Sequence, residues 1–223
     1  MVRTLFENKI GISNKEIGAI GIGAMIVFIA MVLVAGIAAT VLIQTSGRLE
    51  TQALTSGSET ISEVATGIQV EAVEGYNITG HGNISRLAIE VRPRAGSKGI
   101  NLGVTVIELS DSSTKNFFTY NEGNFTETED IDGDIFRWNF YPWDNNTVFG
   151  IIVLEDADNS ITPSNPVINS GDHVVLTLNI TKAFGGFGTS IDVRGQVIPE
   201  DGSPGIISFT TPAAYSDNII DLQ

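Results

Sequence analysis

The residues of this chain that could do chemistry are few, and carboxylates dominate them. Asp130-Ile131-Asp132-Gly133-Asp134 sets three carboxylates around a glycine, a spacing that offers oxygen ligands to a hard divalent cation such as Ca2+. The glycine comes too early for an EF-hand loop and no Glu closes it, so the run reads first as a solvated acidic turn and second as a cation site. Glu155, Asp156 and Asp158 form a second acidic turn. His81 and His173 are the only histidines. Asp172 stands beside His173, but no serine sits in a nucleophile elbow to complete a triad, and no catalytic residue is assigned. The absence of cysteine removes thiolate nucleophiles, disulfides and zinc-thiolate sites together. Gly21 and Gly23 lack the preceding strand and third glycine of a dinucleotide loop. Apart from the possible cation, no cofactor is implied.

Five Asn-x-Ser/Thr sequons fall at Asn77, Asn83, Asn124, Asn145 and Asn179. They are the acceptor pattern for N-glycosylation of a surface domain, with Asn179 expected on the polar side of its strand. Lys and Arg number 12 against 26 Asp and Glu, a formal net charge of -14. Phosphate recognition needs clustered cations, so nucleic acid is not a partner. An acidic surface favours solubility outside the cell.

One element must position everything else. Ile17 to Gly47 contains no charged side chain, and as a helix it would reach ~45 Å, more than the ~30 Å of bilayer hydrocarbon. Apolar positions cover every helical face, so lipid or protein must surround it. Ile26, Phe28 and Val32 are candidate packing residues. Ala35, Gly36 and Ala39 add small residues at close helical spacing, which lets backbones approach. Arg3, Lys9 and Lys15 precede the apolar run, and basic residues are retained on the cytoplasmic side. The run is too long for a secretory signal and ends without an A-x-A site. From Arg48 to Thr66 a sparse apolar stripe continues the helix, with Gly47 and Gly57 as places where it could bend or break.

The run GAIGIGAMIVFIAMVLVAGIAATVLIQTSG, Gly18 to Gly47, closely resembles the start of archaellins, the archaeal flagellins. The resemblance implies a leader over residues 1–18, removed between Gly18 and Ala19 by a prepilin-peptidase-like enzyme, with Gly21 at the third mature position. It implies a polymerisation helix over 19–66 that inserts transiently in the membrane, and an extracellular domain over 67–223. Its partners would be other archaellin subunits, the processing enzyme, and a membrane assembly platform with its motor. The filament would be the archaeal motility organelle, with no enzymatic activity in the subunit.

Beyond Gly67 the periodicity changes to two. Leu87, Ile89 and Val91 alternate with polar partners, as do Phe136, Trp138 and Phe140, then Val174, Leu176, Leu178 and Ile180, then Ile191, Val193 and Val197. Leu102 to Leu109 and Ile151 to Leu154 are further strands, separated by turn-rich segments. The fold class expected is α+β: a long apolar N-terminal helix followed by an antiparallel, Ig-like β-sandwich. Two other readings fit the same residues, a type IV pilin-like adhesive subunit and a membrane-anchored surface binding module.

Overall fold

The computed structural model describes residues 14–78, 82–127, 133–143 and 145–223. Contacts divide the chain into two units, Met1–Gly57 and Ser58–Gln223. Helix α1 spans Asn14–Ala65 without interruption, through both Gly47 and Gly57. The helix is therefore not broken at either glycine. Each glycine costs about 1 kcal/mol relative to alanine, but the helical hydrogen bonds run on across both. The Thr51 hydroxyl adds a bond to the Gly47 carbonyl at 2.9 Å.

Among the described residues twelve strands follow: β1 Ile68–Tyr76, β2 Arg86–Pro93, β3 Ile100–Asn101, β4 Val106–Ser110, β5 Lys115–Thr126, β6 Val148–Glu155, β7 Ile161–Thr162, β8 Asn165–Ile168, β9 His173–Asn179, β10 Asp192–Ile198, β11 Gly205–Thr210 and β12 Ile219–Asp221. A short helix α2, Ile180–Phe184, follows β9. Nine strands make one sheet in the order β11-β10-β4-β5-β6-β9-β2-β1-β12, and β3, β8 and β7 make a small second one. All junctions are antiparallel except β5–β6, which is parallel.

The large sheet rolls over so that its two edges meet. A side chain at Gly205 on β11 would come within 2.9 Å of Val70 on β1. The Gln223 amide accepts from Ser208 N at 2.7 Å and donates to the Ile206 carbonyl at 3.2 Å, both on β11. Two layers thus enclose one core, in which Ile89, Leu109, Phe118, Phe149, Leu176 and Val193 are essentially without solvent contact. This is how a sandwich arises here: one curled sheet buries a single inner face.

Entry from helix to sheet needs glycine. A Cβ at Gly67 would lie 2.8 Å from the Ser203 carbonyl oxygen, and one at Gly202, where φ is +92°, would lie 2.2 Å from the Thr66 carbonyl. Only glycine fits such an approach at positive φ.

Two expectations fail on the outer face. Phe136, Trp138 and Phe140 do not form a strand; Trp138–Phe140 is a 3-10 turn. The four-residue interval that fits alternation also fits one helical turn, and it buries Phe136 and Phe140 on the same side. They pack with Tyr141 on Ala88, Ile152 and Val175 as a second core. Strand β9 is consequently buried on both faces rather than one, for Val175, Thr177 and Asn179 lie under residues 136–142, which form a strap across the sheet. Thr177 Oγ1 donates to the Phe140 carbonyl at 2.8 Å, and Asn179 Nδ2 to the Pro142 carbonyl at 3.1 Å. Arg86 clamps the strap: its guanidinium donates to the Phe136 carbonyl and lies 5.3 Å and 5.5 Å from the ring centres of Tyr76 and Tyr141. Burial here pushes the Tyr141 hydroxyl well above its ordinary pKa.

Candidate functional site: the exposed helix and the surface of the strand domain

Among the described side chains of α1 from Gly18 to Ile61, all are exposed. Ile26, Phe28 and Val32 are more than half exposed. At 100° per residue, Phe28, Val32, Ala35, Gly36 and Ala39 form one stripe along the helix, while Ile26 lies on the opposite side. Nothing lies within 4 Å of where a Cβ at Gly36 would be, so a neighbour can approach the backbone there. Gly18, Ala19 and Gly21 are exposed in the first turns of the described helix. Polar side chains inside the apolar run cost little. Thr40 Oγ1 donates to the Gly36 carbonyl at 2.8 Å, and Thr45 Oγ1 to the Leu42 carbonyl at 3.0 Å. One window of this helix has the length and mean hydropathy, 3.0, to cross a membrane, and none of that window is buried within the chain.

Such a helix is a site by virtue of what it lacks. Its apolar surface is worth about 25 cal/mol per Å2 when removed from water, and no other part of the described chain removes it. It can bind lipid, or other helices of its own kind. The model of the archaeal-type flagellin family matches residues 18–209.

The chain belongs to the archaeal-type flagellin family. Flagellin B2 of Methanocaldococcus jannaschii is 43% identical, with 92% of this chain and 95% of that one aligned. Flagellin B3 of Methanococcus voltae is 37% identical over 94% and 97%. The crystal structure of flagellin FlaB1 from Methanocaldococcus jannaschii superposes with a TM-score of 0.63 at 34% identity, covering 71% of this chain and 98% of that one. The archaeal flagellum of Methanospirillum hungatei shares the fold, with a TM-score of 0.60 at 16% identity over 90% and 98%. This archaellin is a structural subunit of the extracellular archaeal flagellar filament and not an enzyme.

The archaellin's sequons do not share one environment. Asn83 and Asn145 are exposed and Asn124 is half-buried. Asn145 Oδ1 accepts from the Thr147 amide and hydroxyl at 3.1 Å and 2.9 Å. Asn77 and Asn179 are buried. Asn77 Nδ2 donates to the Gly82 carbonyl at 2.7 Å. Asn179 is the N-cap of α2, its Oδ1 accepting from Lys182 N at 3.1 Å while its Nδ2 is held by Pro142. Its expected place on a polar face is corrected: the strap covers that face, and a glycan on the folded domain has no room at either buried asparagine.

Asp130 and Asp132 lie outside the described residues, as does His81. Asp134 is exposed, and its Oδ1 accepts from Phe136 N at 2.9 Å, so it caps the turn that starts the strap. Carboxylates converge elsewhere. Asp156, Asp158 and Asp172 bring oxygens within 4.8 Å of one another, an all-oxygen set that could hold a hard cation. They also pin the loop between β6 and β9. The buried Asp172 accepts from Ala157 N and Asn169 N at 3.0 Å and 2.8 Å. Asp156 accepts from Ile161 N at 3.1 Å, and Asp158 from Asn169 Nδ2 at 2.8 Å. Bonds from Ser160 and Asn169 hold the Asp158 carboxyl below the usual range. Asp156 and Asp158 stand out in the sequence as an acidic turn, but Asp172 carries no local signal of joining them. Its carboxylate serves this loop and builds no triad with His173.

Proposed function

We propose that α1 is the element through which this archaellin polymerises, and that the strand domain forms the outer shell of the filament. The observation that supports this is the helix surface between Gly18 and Gly47, apolar on all sides and exposed. In the membrane, lipid covers that surface; in the filament, other copies of α1 do. The hydrophobic term nearly cancels between those two environments, so close packing around Gly36 and Ala39 supplies the preference for protein neighbours. A prepilin-peptidase-like enzyme cuts between Gly18 and Ala19, which separates the basic leader from the helix before assembly. A membrane platform then inserts the subunit at the filament base, and its motor turns the polymer. N-glycans are carried at Asn83, Asn124 and Asn145, whose side chains are at least partly accessible. For a hard divalent cation the better-supported ligands are Asp156, Asp158 and Asp172 rather than Asp130, Asp132 and Asp134.

The test is the N-terminal residue of subunits from purified filaments, read by mass spectrometry alongside a Gly18→Trp variant. Ala19 at the start of the wild-type subunit, with unprocessed precursor and no filament in the variant, is the expected outcome. A filament subunit that retains the leader would refute the proposed processing.

A further inference from the structure

Charged side chains are scarce on α1 beyond Gly18, and two of opposite sign stand together where the apolar run ends. Arg48 is the only cation between Ala19 and Thr66, and Glu50 is the anion nearest to it in sequence. Both are exposed. Opposite charges support their own helix when they sit three or four residues apart. Around Arg48 those positions hold Gln44, Thr45, Thr51 and Gln52, and around Glu50 they hold no Lys or Arg. Neither charge therefore finds a partner at those spacings on its own helix. Being two residues apart, the two side chains leave the helix about 200° apart, toward opposite sides.

The two sides are complementary. Around Arg48 the helix surface carries an open notch lined by Gln44, Gly47, Thr51 and Gln52. Nothing lies within 4 Å of where a Cβ at Gly47 would be, so a neighbour's side chain can enter. The Thr51 hydroxyl is spent on the Gly47 carbonyl at 2.9 Å, which leaves the guanidinium and the two Gln amides as the donors of the notch. A carboxylate suits such a set. Given α1 as the polymerising element, on which this pairing rests, we propose that the notch takes the Glu50 carboxylate of a second copy of this chain. Each α1 then gives its arginine to one neighbour and its glutamate to another. A contact between opposite sides of one element is heterologous: it passes from copy to copy without closing on a pair, as an open filament requires. The two Cα atoms differ by about 3 Å along the axis, within the reach of an arginine side chain, so parallel copies can meet in this way. An unpaired charge among packed helices is costly, so the pair also disfavours any register that sets Arg48 against apolar side chains.

Filaments purified from cells test the pairing. Arg48→Glu and Glu50→Arg should each lower filament yield by at least about tenfold. The double exchange Arg48→Glu/Glu50→Arg should restore the yield, since it only reverses the direction of the pair. A yield no better in the exchange than in the single variants overturns the proposal. Arg48→Lys keeps the charge and should assemble. Its filaments, treated with a carbodiimide that joins an amine to a carboxylate in contact, should give two copies of one peptide linked from position 48 to Glu50, as read by mass spectrometry. Wild type, with no amine at that position, cannot give this product. An introduced amine joined to Glu59, to Glu63 or to nothing overturns the pairing, and so does failure of Arg48→Lys to assemble. Failure of the helix-centred reading itself looks different, because filaments would then survive Val32→Asp; failure of the pair alone leaves Val32→Asp without filaments.

Discussion

The apolar half of α1 and the rolled sheet are made of much the same aliphatic residues and put them to opposite uses. Val32, Leu33 and Ile37 on the helix are more than half exposed, whereas Val193, Leu176 and Ile89 in the sheet are fully buried. In the sheet the alternation of period two gives each strand an inside, and curling encloses it. In the helix the apolar residues run all round, so no fold of this chain could hide them and the remedy must come from outside. The lesson is that a subunit can be folded and incomplete at once, with its stability and its assembly lodged in separate stretches of sequence.

The largest effect should come from breaking the helix side. Val32→Asp places a charge amid the apolar run, costing about 2.5–3.5 kcal/mol at insertion and leaving an unpaired charge among packed helices. Filament yield in cells should fall to nothing, while circular dichroism of the strand domain is unchanged. Normal filaments would erase the distinction between the two regions. A chain beginning at Ser58 should likewise sediment as a folded monomer at every concentration, and filaments formed by it would transfer assembly to the sheet.

Next in size, Phe149→Ala opens a cavity in the closed core and should cost about 3–5 kcal/mol, seen as a lower urea midpoint of the Ser58–Gln223 unit. Asn179→Ala removes a helix cap and the bond to Pro142; a loss of about 1–2 kcal/mol is expected from the same titration. A loss under a few tenths would show that the strap is held without it. The smallest effect concerns Glu74, whose pKa is raised by burial first and then by the charges of Glu90 and Asp221. A carboxyl with a raised folded pKa favours the folded state below its unfolded pKa, and that favour is lost as pH rises through the folded value. Glu74→Gln should therefore stabilise slightly at pH 7 and not at pH 4. Stabilisation of equal size at both would refute the electrostatic origin.

How far the sequence reveals this molecule depends on the range of the signal. The helix is legible from composition alone, and Leu87-Ile89-Val91 and Ile151 to Leu154 are legible as strands from short runs. Strand β5 is not: Lys115, Thr119, Asn121 and Glu122 leave it largely exposed, and its pairing with β6 is parallel. Phe136 and Phe140 mislead because a spacing of four suits both a strand face and a helical turn. The carboxylate group is half legible, since Asp156 and Asp158 are neighbours in sequence but Asp172 joins them only after the chain has passed through β7 and β8.

Gln223 closes the outer seam of the rolled sheet by giving Ser208 and Ile206 the partners that another strand would otherwise supply. Exposed strand edges recruit strangers. A polymer crowds its subunits, and an open seam would invite neighbours to pair in the wrong order. A sheet that fastens to itself lets such crowding be tolerated without fusion.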